Sequence, residues 1–374
     1  MTKDNESVIQ KNIEEDYTMK KFLALFLVLA LMIPCFAVAN AEGEKIALVT
    51  DVGTIDDESF NQACWQAVEA YAKANNVEYT YYQPGADSLD ARLLSIDQAI
   101  NEGATVIVMP GYLFGATLVT AQEDYPDVTF IAVDVSAGDL TLDYATYVEP
   151  AANVVCVTFS EEQAGFLAGY AAVKEGYTKL GYLGGMAVPA VIRYGYGFVQ
   201  GADKAAAELD KQIEINYTYG GQFFGDAAIT AKMEGWYSTG TEVVFACGGG
   251  IYTSAVEAAK KYNGKVIGVD VDQAYIDECI VTSAMKGLQN VTEALLAEYF
   301  DGNWANVGGA VRNYSLQEGE YVGLPTAETS WRFANFTVED YAVIHDAVKN
   351  GEVVVSNAID AEPAVTNATV NYIQ

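Results

Sequence analysis

Apolar and polar positions along this chain follow two alternating rhythms. An apolar run at 46–50 stops at Asp51 and Gly53. The stretch 59–73 then spaces Phe60, Cys64, Val68 and Tyr71 at helical intervals, with Ser59 as the expected cap. A second strand is expected at 78–82. A helix follows at 88–101, with Leu89, Leu93, Ile96 and Ile100 on one side. A third strand at 105–109 breaks at Pro110. Leu118 and Val119 belong to the next helix, and a fourth strand at 128–133 ends in Asp134. Strands that are apolar throughout and separated by helices predict a parallel sheet covered on both faces.

The pattern restarts after Asn153. A helix rich in small residues at 161–173 precedes a strand at 180–183, a helix at 194–208, a strand at 214–219 and a helix at 227–234. A strand at 243–247 runs into Gly248, Gly249 and Gly250. Thr253 or Ser254 is expected to cap a helix reaching Tyr262, and a strand at 266–269 ends in Asp270. Two wound units of similar size predict an α/β protein of two doubly wound lobes with a cleft between them. No Pro/Ser-rich tether separates them, so the hinge is expected to consist of several short crossings. The expected division is a leader and signal peptide at 1–41, one lobe from 42–152 plus 280–310, and a second from 153–279 plus 311–374. The pattern after Gly302 is the least legible.

Length and composition agree with this. The chain has 374 residues, 51% of them hydrophobic and 19% charged, enough for two packed cores. Its net charge of -31 excludes nucleic acid as a partner, because neutralising phosphates requires clustered Lys and Arg. The same charge disfavours an anionic membrane surface. Residues 19–41 read as a signal peptide, with Lys20 and Lys21 before an apolar run at 22–33 that is short for a membrane span. Small-residue cleavage sites lie at 37–39 and 39–41, and Met19 is a candidate start. Cys35 is a candidate lipid anchor, although Pro34 fits that signal poorly. The protein is therefore expected outside the cytoplasm, touching a membrane only through such an anchor or a permease. The remaining cysteines (Cys64, Cys156, Cys247 and Cys279) lack metal-ligand spacing and read as small buried hydrophobes. His345 is the only histidine, which removes most Ser/His, Cys/His and zinc chemistry. No metal or cofactor is expected.

Candidate ligand-contacting residues cluster where strands end. Asp51, Asp134 and Asp270 occupy the positions that line the crevice of a wound sheet. A carboxylate accepts two vicinal hydroxyls, and it equally caps a helix or closes a turn. Phe60 can stack on a flat ligand or fill the core, and Phe224 is placed similarly in the second lobe. Asn61 offers both a donor and acceptors. Lys286 can donate to a hydroxyl or pair with Asp270, or it can be an ordinary surface lysine. The glycine clusters lack a phosphate cradle, and Gly248 to Gly250 read as a tight turn or a close backbone approach.

Four blocks carry a family resemblance: DVGTIDDESFN at 51–61, FSEEQAGFLAG at 159–169, GYLGGMAVP at 181–189 with YGYGF at 194–198, and IGVDVDQ at 267–273 with TSAMK at 282–286. In this order they resemble the basic membrane protein (PnrA-like) group of ABC-transporter substrate-binding lipoproteins. The resemblance implies a type I periplasmic-binding-protein fold and a monomer that delivers a purine nucleoside to permease subunits. It also implies that Phe60 and Phe224 sandwich the base while Asn61 and Asp134 bond to it. Asp270, Lys286 and the backbone at Gly249 would hold the ribose, with Asp51 nearby. A sugar or other small-solute binder on the same fold is the alternative. A nucleoside hydrolase fits less well. Its D-x-D-P-G-x-D-D pattern would need Asp where Val49 stands and a proline before Gly53, and Asp56 and Asp57 fall one residue late.

Overall fold

A computed structural model describes residues 43–373. The expected leader, the start at Met19 and the candidate anchor Cys35 lie outside the described residues. Two sheets organise the rest. The first contains β1 (Lys45–Val49), β2 (Glu78–Tyr82), β3 (Val106–Pro110), β4 (Thr129–Val133), β5 (Val154–Phe159) and β11 (Ala310–Tyr314). Its order is β11-β5-β4-β3-β1-β2 and every pairing is parallel. The second contains β6 (Lys179–Gly184), β7 (Ile213–Tyr219), β8 (Val243–Cys247), β9 (Lys265–Asp270), β10 (Ile280–Lys286), β12 (Val322–Gly323) and β13 (Ala368–Tyr372). Its order is β12-β10-β9-β8-β6-β7-β13, with only the β10–β12 pair antiparallel.

The inner strands β1, β3, β4 and β8 are buried at every position, whereas edge strands β2, β11 and β13 are partly exposed. Helices covering both faces account for that difference. They are α1 (Phe60–Asn75), α2 (Leu89–Asn101), α3 (Phe114–Asp124), α4 (Glu161–Glu175), α5 (Pro189–Glu208), α6 (Ala227–Ser238), α7 (Tyr252–Tyr262), α8 (Leu288–Phe300) and α9 (Val338–Lys349). Both lobes repeat one winding order, in which a strand's neighbours lie on opposite sides at the first and third strands. Such a switch opens a crevice at the carboxyl ends of the strands. Cys64, Cys156, Cys247 and Cys279 are buried free thiols.

Among the described residues the chain passes between lobes three times, and each passage is short. The crossings lie at Ser160, at Gly287 and at 315–321. Ser160 N donates to Tyr314 O at 3.0 Å, and Gly287 N donates to Tyr321 O at 2.7 Å, so neighbouring passages are tied together. Strand membership moves the expected lobe boundaries. β5 extends the first lobe beyond 152, and β11 keeps 311–314 in it. β10 belongs to the second sheet, so 280–286 leaves the first lobe. Apolar runs look alike in either sheet, and only pairing partners assign them.

Capping also differs from expectation. Ser59 does not cap α1. Asp57 takes that role, accepting from Asn61 N at 3.0 Å and Gln62 N at 3.1 Å. Neither Thr253 nor Ser254 caps α7, which begins one residue before them and has no side-chain cap.

Candidate functional site

One cavity lies between the lobes at the carboxyl ends of both sheets. Asp51, Phe60, Asn61, Asp134, Gly249, Asp270 and Lys286 all border it. Asp134 and Asp270 follow or end their strands in the left-handed conformation, at φ 61° and 66°. Aspartate tolerates that backbone better than most residues do, and the turn carries each side chain off the strand line.

Phe224 does not border the cavity. Its side is turned to solvent and it is 58% exposed. Phe223 borders the cavity instead. The segment pairs with Gly250, through a bridge at Phe224 and a bond from Gly250 N to Phe223 O at 2.8 Å. The ring of Phe224 is left in solvent, and that of Phe223 lies over Gly185 at the cavity wall. Gly185 and Gly248 make room for Phe223. A Cβ at Gly185 would come within 2.5 Å of its ring.

The polar groups are closely interlocked. Asn61 Nδ2 donates to Asp51 Oδ1 at 3.1 Å and to Asp57 Oδ2 at 3.3 Å, which fixes the amide orientation and leaves Oδ1 without a partner. Asp134 Oδ1 and the Tyr194 hydroxyl are likewise buried and unpaired, and both residues border the cavity. Buried polar atoms without partners are uncommon and call for an explanation. Burial pushes Asp57 up to about 6 and raises Asp51, despite the amide hydrogen bonds each accepts.

Lys286 sits among three carboxylates and is only 6% exposed. Its Nζ bonds Asp134, lies 3.3 Å from Glu161 Oε1 and 3.8 Å from Asp270 Oδ1, and is 4.7 Å from the Phe60 ring centre. Burial alone would lower its pKa, but the charges of Asp134, Glu161 and Asp270 outweigh it and hold the ammonium protonated. One ammonium cannot satisfy three acids equally. Glu161 is also buried, but Arg193 and Lys286 together hold it below the usual range. Burial pushes Asp134 up to about 7 against the pull of Lys286, and burial raises Asp270 as well. The spacing of Asp270 from Lys286 follows from adjacent strands, where Asp270 pairs with Met285.

The lobes also touch directly across the cleft. Ser59 Oγ donates to Asp270 Oδ2 at 2.6 Å, Gln273 Nε2 donates to Glu58 O at 2.8 Å, and Tyr275 bonds Glu58. The two jaws are therefore together. Sequence reasoning missed Asp57, Glu161, Arg193, Tyr194 and Phe223. Glu161 and Tyr194 stood inside the quoted blocks, but nothing local marks a helix residue as facing another element. Among the described residues no acid, His or Cys cluster is arranged for a metal.

The pattern of the ABC transporter substrate-binding protein PnrA-like family (Bmp) matches residues 44–357, most of the chain. The chain belongs to the PnrA-like family. Among PnrA-like relatives, the ABC transporter nucleoside-binding protein BmpA of Lactococcus lactis subsp. cremoris is 28% identical over 74% of this chain and 80% of that protein. Basic membrane protein B of Borreliella burgdorferi is 29% identical over 82% of this chain and 89% of that protein. An ABC transporter solute-binding protein from Aeropyrum pernix K1 shares the fold, with a TM-score of 0.67 and 21% identity over 83% of this chain and 87% of that one. The first of these relatives is named as a nucleoside-binding protein and the Aeropyrum protein as a solute-binding protein, both of ABC transporters. This PnrA-like chain is thus the substrate-binding protein of an ABC transporter, with a type I periplasmic-binding-protein fold. It works outside the cytoplasm beside a permease. No described helix is long and apolar enough to cross a membrane.

Proposed function

We propose that this protein captures a purine nucleoside in the interlobe cavity and presents it to the permease. One observation carries the reading. Asn61 Oδ1 and Asp134 Oδ1 are buried acceptors without partners on one cavity wall, beside the ring of Phe60. A flat heterocycle whose edge carries N–H donors would satisfy both oxygens at once. Phe60 and Phe223 would enclose its faces, and stacking contributes about 1–3 kcal/mol per base in comparable sites. Asp270, Lys286, Asp51 and the Gly249 backbone would then meet the ribose hydroxyls. The name of the Lactococcus relative, a nucleoside-binding protein, supports the same reading.

Binding requires no covalent step. The lobes close as the hinge passages flex, water leaves, and each remaining hydrogen bond strengthens in the drier cavity. Residues 19–41 would direct export. N-terminal analysis of the mature protein separates cleavage near Ala41 from lipid modification of Cys35.

Two measurements test the nucleoside reading. Mass spectrometry of freshly purified protein is expected to release a purine nucleoside. Titration calorimetry is expected to show binding of guanosine or inosine by the wild type and weaker binding by Phe60→Ala, which stays folded. Heat with ribose or galactose but none with either nucleoside would replace this reading with that of a sugar binder.

A further inference from the structure

Two of the blocks noted in the sequence have little part in the cavity: FSEEQAGFLAG at 159–169, and YGYGF at 194–198 apart from Tyr194. In space they form one construction. They lie mostly on α4 and α5, whose backbones meet along a seam of glycines. A Cβ at Gly165 would run into the Tyr194 carbonyl, and one at Gly197 would run into the Glu162 carbonyl. This approach brings Arg193 Nε to 2.6 Å from Glu161 Oε2. Glu161 is wholly buried at the first position of α4, and its other oxygen is the one 3.3 Å from Lys286 Nζ. Neither Glu161 nor Arg193 borders the cavity.

Lys286 needs such a fixture. Its ammonium ends a flexible four-carbon stem. Asp134 belongs to the opposite lobe and moves away whenever the cleft opens. Asp270 is shared with Ser59 of that same lobe. Glu161 is the one acid of the three held by a second cation, Arg193, through contacts that do not depend on closure. Rings of Phe60, Phe159 and Tyr194 lie 4.7, 5.6 and 5.8 Å from the ammonium; the phenylalanines offer no hydrogen-bond acceptor, and the Tyr194 hydroxyl makes no bond to it.

We infer that Glu161, anchored by Arg193, is a positioning residue that keeps the Lys286 ammonium aimed into the cleft. The inference rests on the proposed contact between Lys286 and the ligand. It gives the glycine seam a purpose, because a wider gap between α4 and α5 would withdraw Arg193 from Glu161.

The first test needs no ligand. Ligand-free protein is treated with acetic anhydride and its lysines are followed by peptide mass spectrometry. Glu161→Gln is expected to speed Lys286 labelling about tenfold, because one negative charge that stabilises the ammonium is gone and more free amine is present. Lys45, also buried but in the other lobe, is expected to keep its rate. An unchanged Lys286, or an equal rise at Lys45, overturns the proposal. The second test is a guanosine titration in a double-mutant cycle. Glu161→Gln is expected to weaken binding about tenfold in the wild type and less than twofold beside Lys286→Met, because coupled residues are not additive. Additive losses overturn the proposal. If Glu161→Gln does not fold, Arg193→Met at the outer end of the chain of contacts takes its place, with a smaller loss of the same pattern. A wild type that ignores guanosine removes the nucleoside reading, and the labelling result then decides the role of Glu161 alone.

Discussion

Phe223 and Phe224 show how one residue position changes a site. The sequence presents two adjacent rings after a glycine pair, and nothing in the letters says which faces inward. The pairing with Gly250 and the space over Gly185 decide it. Phe223→Ala is expected to weaken guanosine binding by roughly tenfold, within the range for a lost stacking platform. Phe224→Ala is expected to stay within about twofold, since its ring is in solvent. Titration calorimetry of both variants checks the pair. Asp51, Asp134 and Asp270 were legible because acids at strand ends stand out against apolar runs. Asp57 was not, because an acid among acids carries no local mark until its oxygens meet the amides of α1.

At the scale of elements, the α4–α5 seam is the most constrained contact. Its glycines are set by a neighbour's backbone rather than by their own turn. Gly165→Ala places a methyl against the Tyr194 carbonyl, where no side chain can swing aside. Overpacking of this kind costs about 1–3 kcal/mol and sometimes more. Gly235 in α6 has open space around it. Gly235→Ala is expected to raise stability by about 0.5–1 kcal/mol through helix propensity. Urea denaturation of the two variants should move midpoints in opposite directions. Most helices and strands were readable to within a few residues, since period and punctuation are local. The short crossings were expected in kind, but their positions were not. A strand such as β10 carries no sign of which sheet it joins.

For the whole molecule, acidity and burial act together on stability. Asp57 is pushed up to about 6, and Asp134 and Glu162 to about 7, in each case mainly by burial. Between the ordinary carboxylate range and these values the folded protein keeps protons that the unfolded chain has released. Stability therefore falls as pH rises through that window. Glu161 acts with the opposite sign, but its contribution is lost only as pH falls below the usual glutamate range. The net charge of -31 adds self-repulsion that also grows with pH. Calorimetry of the ligand-free protein is expected to give a higher melting temperature at pH 5 than at pH 7.5. A flat or rising profile would show that these acids ionise freely in the fold.

The amino-acid sequence by itself determined the alternation of strands and helices, the two wound units, the absence of cationic clusters for nucleic acid and the family blocks. These follow from periodicity, composition and punctuation, which are properties of neighbours along the chain. Only the tertiary structure decided where the chain changes lobe, which phenylalanine meets the cavity, and that Lys286 is gripped by acids from both jaws. Those facts depend on groups 16 to 152 positions apart being brought within a few ångströms, and no local pattern encodes such a meeting.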